Sequence, residues 1–175
     1  MSRPVPSSAA LPIAHFVLRA LIVVNWLGGA AILALLLVMP NERWIMSAFK
    51  LTPSPESERV VMGLRAVAAL GLVSIPLNYA ILKRLLAMVE TVRAGDPFVA
   101  TNAQRLRAIA WTLLALQVLS AAIGTIGRVI STPAHPVHLN AGFSINGWLC
   151  VLLTFLLAQV FAEGTLMRDD LEGTV

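Results

Sequence analysis

His135 and His138, in the run Pro133-Ala134-His135-Pro136-Val137-His138, are the two imidazoles close enough in sequence to share a metal ion. A zinc site takes three or four protein ligands, and no further His, Cys, Asp or Glu lies beside the pair. They therefore read as solvent-facing side chains of a Pro-rich loop, and no metal is expected. The chain has no Ser/His/Asp set, no HExxH, no glycine-rich phosphate loop and no Cys/His zinc spacing. No catalytic residue is assigned, and neither an enzyme nor a cofactor is expected. The single cysteine, Cys150, has no partner for an intramolecular disulfide.

More chemistry resides in polar side chains set inside apolar runs: Asn25, Arg65, Gln117 and Asn146. Such groups are costly in hydrocarbon and face other helices or a wet cavity. Counted at about 1.5 Å per residue from the end of each run, Asn25 and Gln117 fall near mid-depth, where they are expected to hydrogen-bond to each other. Arg65 and Asn146 fall at matching depth in the outer half, with Arg128 nearer the surface. The amides serve as interhelical hydrogen-bonding glue and Arg65 snorkels outward to the interface, or the four line a pocket for a small or peptidic ligand.

Two clusters lie outside the apolar runs: Gly95-Asp96-Pro97-Phe98, and Asp169, Asp170, Leu171 and Glu172 near the end of the chain. Gly95 suits the left-handed residue that ends a helix, Pro97 cannot continue one, and Thr101 with Gln104 has the spacing of a capping box for the next. This segment is first of all a tight helical hairpin. Phe98 either tucks under it or faces a partner. In the tail, Asp169, Asp170 and Glu172 stand at the negative end of a helix dipole, where anions call for cations opposite. Lys83, Arg84, Arg105 and Arg107 are the internal candidates, and a basic surface on a partner is the external one.

The elements that position these groups follow from composition. The 175 residues are 58% hydrophobic and 13% charged, with a mean hydropathy of +0.81, against roughly a quarter charged in a soluble domain. Four apolar stretches, at about 16–39, 60–82, 107–128 and 141–162, each supply the roughly 20 residues needed to cross a bilayer. The fold class is all-α: a single polytopic membrane domain over 1–175, four transmembrane helices in one bundle, with a helical hairpin at 83–106 and a tail at 163–175. Ser54-Pro55-Glu56 marks the start of the second helix, which Pro76 should kink. The tail should continue the fourth helix over 161–171 until Gly173 ends it. Ala30/Ala34, Ser120/Gly124 and Ala121/Thr125 are small residues four apart, suited to close helix packing or to a homo-oligomer.

An even number of spans places both chain ends and the 83–106 hairpin on one side. That side carries Arg3, Lys83, Arg84, Arg93, Arg105, Arg107 and Arg168, and the other carries Arg43, Lys50, Arg59 and Arg128. The richer side is expected to be cytoplasmic, N-in and C-in. The net charge of +4 is read as this loop bias, and no direct nucleic-acid binding is expected. Trp44, Ile45, Ala48 and Phe49 have helical spacing, so the outer loop should lie on the membrane surface as an amphipathic helix. The first stretch exits into Met39-Pro40-Asn41-Glu42-Arg43 without a small-residue cleavage pattern, and reads as a retained anchor.

Arg93-Ala94-Gly95-Asp96-Pro97-Phe98, followed by Asn102 and Arg105-Leu106-Arg107, and the ending Met167-Arg168-Asp169-Asp170-Leu171-Glu172-Gly173-Thr174-Val175 resemble domain-of-unknown-function family 2975 (DUF2975). The resemblance implies a bacterial inner-membrane protein without established activity. It also implies a neighbouring small helix-turn-helix regulator as a candidate cytoplasmic partner. The expected function is a non-enzymatic interaction or sensing protein working through the hairpin and tail. The alternative is a carrier, channel or immunity-type protein with a ligand between its spans.

Overall fold

The computed structural model describes residues 10–38, 54–131 and 141–172. They form four α-helices: α1 (Ala10–Val38), α2 (Pro55–Arg93), α3 (Ala100–Ile130) and α4 (Ile145–Glu172). All four are long and apolar enough to cross a membrane. Helices α2 and α3 contain the spans predicted at 60–82 and 107–128, α1 covers 16–38 of the first, and α4 begins at Ile145, four residues after the predicted start of the last, and carries through the predicted tail helix. At 39 residues α2 is about 58 Å long, well beyond a hydrocarbon core of about 30 Å, so it projects past the apolar layer toward the hairpin.

Local chemistry sets the helix ends. Ser54 caps α2: its side chain accepts from the Ser57 amide at 3.2 Å, and the Ser57 hydroxyl accepts from the Ser54 amide at 2.9 Å. This is a reciprocal capping box behind Pro55. The other end of α2 closes as a Schellman motif, with the Gly95 amide donating to Val92 O and the Asp96 amide to Thr91 O, both at 3.1 Å. Gly95 has φ +86, a conformation that a Cβ would strain. The expected Thr101/Gln104 box does not form. Helix α3 begins two residues earlier, with extended Val99 at the cap position and no side-chain cap bond. Thr101 is thereby already inside the first turn, where its hydroxyl cannot act as the cap.

Packing follows chain order. Helix α1 lies on α2, α2 on α3 and α3 on α4, and no other pair of helices touches among the described residues. The bundle is therefore open, with α1 and α4 at its two ends. Of the three small-residue pairs, Ser120/Gly124 makes a close approach, since a Cβ at Gly124 would meet the Ala141 carbonyl oxygen at 2.5 Å. Ala30, Ala34 and Thr125 are exposed. On α1 the close contact is instead Gly29, where a Cβ would sit 3.0 Å from Ile75 Cγ2. The buried apolar core is thin and includes Ile75, Leu106, Ile109, Ala110 and Ile130. The outer faces are large and apolar, with Phe16, Val24 and Leu27 exposed on α1 and Leu152, Leu156 and Val160 on α4. Water does not tolerate so much continuous apolar surface, whereas a bilayer requires it. The chain is a multi-pass membrane protein.

The outer-loop helix expected around Trp44 and Phe49, and the pair His135 and His138, lie outside the described residues. Among the described residues no three His, Cys, Asp or Glu side chains converge as a metal site would require.

Candidate functional site

At the hairpin end the chain buries a polar side chain completely. Asn102, in the first turn of α3, is 0% exposed. Its Nδ2 donates to Thr91 Oγ1 at 2.7 Å and to the Pro97 carbonyl at 2.9 Å. Its Oδ1 accepts from Arg105 Nη1 at 2.9 Å, and the same guanidinium nitrogen also reaches the Ala87 carbonyl at 3.2 Å. Thr91 in turn donates to Met88 O at 2.7 Å. One amide thus ties α2, the connecting loop and α3 together, and no buried side-chain nitrogen or oxygen among the described residues lacks a partner. A polar network of this kind rigidifies only when every member is satisfied.

Helix α4 docks on the outside of this hairpin. Arg168 forms an ion pair with Asp96, and the Phe98 ring lies 5.3 Å from the Phe161 ring, centroid to centroid. Gly164 leaves room for Phe98, since a Cβ there would come within 3.1 Å of the ring. Phe98 nevertheless remains 44% exposed, so it both packs against α4 and presents an edge outward. Helix α1 reaches the same end of the molecule, where His15 Nε2 stands 3.9 Å from Glu90 Oε1.

The sequence places cations of α2 and α3 opposite the acids of the tail. One ion pair between tail and hairpin has the opposite sense: the cation is Arg168 of the tail and the anion is Asp96 of the loop. Arg105 is drawn instead toward Asn102 and Ala87, and Arg84 donates to Ala80 O at 3.0 Å within its own helix. Gly95, Asp96, Pro97 and Phe98 form the rim of this junction. Asp170 is exposed on the last turns of α4. Asp169, Leu171 and Glu172 belong to the same turns, and their side chains lie outside the described residues.

The four intramembrane polar residues are not gathered together. Asn25 does not bond to Gln117, because α1 and α3 are not in contact. Its Nδ2 donates to the Ile75 carbonyl at 3.1 Å, directly before Pro76 and one turn from Gly29. Depth alone suggested Gln117, but adjacency of the helices decides the partner. Gln117 turns to α4 and fills the space beside Gly147 that a Cβ would take. Arg65 is half-buried on α2 and Asn146 is exposed in the first turn of α4, on two helices that do not touch.

Asn102 is the residue whose role the sequence did not reveal, although it stands in the hairpin motif. The available signal was its place three residues before Arg105, one helical turn away, beside a Gly-Asp-Pro turn. No curated protein and no solved structure matches the chain. The family described as "Protein of unknown function (DUF2975)" matches residues 39–175, which take in α2, α3, α4 and every residue of the hairpin–tail junction. Since that match covers most of its length, the chain belongs to the DUF2975 family.

Proposed function

We propose that this protein is a non-enzymatic inner-membrane protein, N-in and C-in, that holds or senses a cytoplasmic partner on the surface formed by its hairpin and tail. The observation that carries this reading is the Arg168–Asp96 ion pair with Phe98 against Phe161. Together they join two segments remote in sequence into one built surface beyond the apolar layer. Exposed Phe98, Leu166 and Met167 give that surface apolar anchors, and the acids of the tail give it negative charge. The family resemblance points to a small helix-turn-helix regulator as the class of partner. The basic DNA-binding face of such a protein is complementary to Asp169, Asp170 and Glu172, and docking would occlude it from DNA.

The test is co-purification of tagged full-length protein from native membranes. Phe98→Asp and deletion of 169–175 should each lower the retained partner by about tenfold or more, equivalent to about 1.4 kcal/mol of lost contact. Arg65→Leu and Gln117→Leu should leave retention unchanged. The opposite pattern would move the function to a site between the spans.

A further inference from the structure

A cleft of about 390 Å³ opens between α3 and α4 near the hairpin end. Small side chains create it, with Ala103, Ala158 and Ala162 along its walls and Phe155 at its deeper side. Its rim carries Arg107, Gln104 and Gln159. Arg107 is the last charged residue of α3 before the uncharged run 108–127, and Glu163 is the first charged residue of α4. The cleft therefore lies at the level where both helices pass from hydrocarbon to headgroups. One turn deeper than Arg107, Trp111 stands edge-on to Phe155, 5.4 Å between centroids and 88° between planes, and remains 56% exposed.

Arg107 is exposed and takes part in none of the hydrogen bonds or ion pairs among the described residues. Glu163, the acid nearest the rim on α4, accepts from Gln159 Nε2 at 3.0 Å, which holds its carboxylate along its own helix. The site thus combines a cation without an internal partner, an amide beside it and an apolar wall of Ala158, Ala162 and Phe155. We propose that the α3/α4 cleft binds one anionic phospholipid, with the phosphate at Arg107 and Gln104 and an acyl chain running past Phe155 and Trp111. Basic pockets between membrane helices recognise headgroups in this way. A free anion would meet one exposed, salt-screened cation and leave the apolar wall of the cleft uncovered. A zwitterionic lipid would bring its own ammonium toward Arg107.

This inference rests on the membrane-spanning part of the function proposed above, and on neither its partner nor its orientation. It is tested by native mass spectrometry of the purified full-length protein, incubated with phosphatidylglycerol or with phosphatidylcholine of the same chain length. A one-to-one phosphatidylglycerol adduct should exceed the phosphatidylcholine adduct about fivefold, the effect of about one cationic contact at the headgroup. Arg107→Gln and Ala158→Leu should each bring it down to the phosphatidylcholine level, while Arg107→Lys and Lys83→Gln, the latter outside the cleft, keep it. Circular dichroism of each variant confirms that helicity is unchanged. Equal adducts for the two lipids, or undiminished phosphatidylglycerol binding in Arg107→Gln, would overturn the proposal. Displacement by millimolar inorganic phosphate would overturn it too, by showing a small-anion site. No partner is present in this experiment, so its failure and that of the partner reading are distinguishable.

Discussion

Replacing Asn102 with alanine is expected to destabilise the protein by about 3 kcal/mol, measured by unfolding in detergent. The residue is fully buried, and its amide makes three hydrogen bonds to three different segments. Alanine removes all three and leaves the Pro97 carbonyl, the Thr91 hydroxyl and the Arg105 guanidinium each short of one partner. A buried group left unpaired costs about 1–3 kcal/mol, more than the net value of the bond itself. Thr91→Val removes one acceptor and should cost about 1 kcal/mol. Asp96→Ala breaks an ion pair whose side chains are 43% and 44% exposed and should cost less than about 1 kcal/mol. The ranking separates the two contacts: Asn102 holds the hairpin, and Arg168–Asp96 places the tail on it. If Asn102→Ala costs no more than Asp96→Ala, the buried network is not what holds the hairpin closed.

Gly124→Ala should destabilise the same preparation by about 2 kcal/mol, and Gly147→Ala by less than about 1 kcal/mol. This order inverts the raw overlap, since the methyl added at 147 would intrude more deeply on its neighbour. What differs is the neighbour. At Gly147 it is the terminal amide of Gln117, the far end of a flexible side chain that can swing to another rotamer. At Gly124 it is backbone, with the Ala141 oxygen and Gly142 Cα each 2.5 Å from the added carbon. That backbone is pinned: the Gly142 amide donates to Ser120 Oγ at 3.2 Å, and the Ser120 hydroxyl donates back to Gly142 O at 3.3 Å. Gln117→Ala in the Gly147→Ala background should recover the smaller loss and do nothing for Gly124→Ala.

The helices and their ends were largely legible because their signals are local. Ser54 and Pro55 announce a helix start in any context, Gly95 and Pro97 announce a stop, and long uncharged runs announce spans. The Thr101/Gln104 box was misread for a related reason: the spacing displays a cap, but the start of α3 depends on where Asn102 is buried. Partners were not legible, because spacing gives the depth of a side chain and not which helix stands beside it. Asn25 and Gln117 match in depth, yet the chain-order packing sends one to Ile75 and the other to Gly147. The tail illustrates the same limit with charge. Counting acids near the C-terminus directs attention to basic residues, whereas the tail also offers a cation, Arg168, which finds Asp96 of the loop, and Arg105 is taken up by an uncharged amide.

The central claim is that hairpin and tail share the cytoplasmic face, and labelling with a membrane-impermeant thiol reagent tests it most directly. In a Cys150→Ser background, intact cells should label a cysteine placed at Ala134, in the segment joining α3 to α4. A cysteine at Ala94, which is exposed at the end of α2, should react only after the membrane is permeabilised. Labelling of Ala94→Cys in intact cells, with protection of Ala134→Cys, would put the hairpin and tail outside and contradict the account.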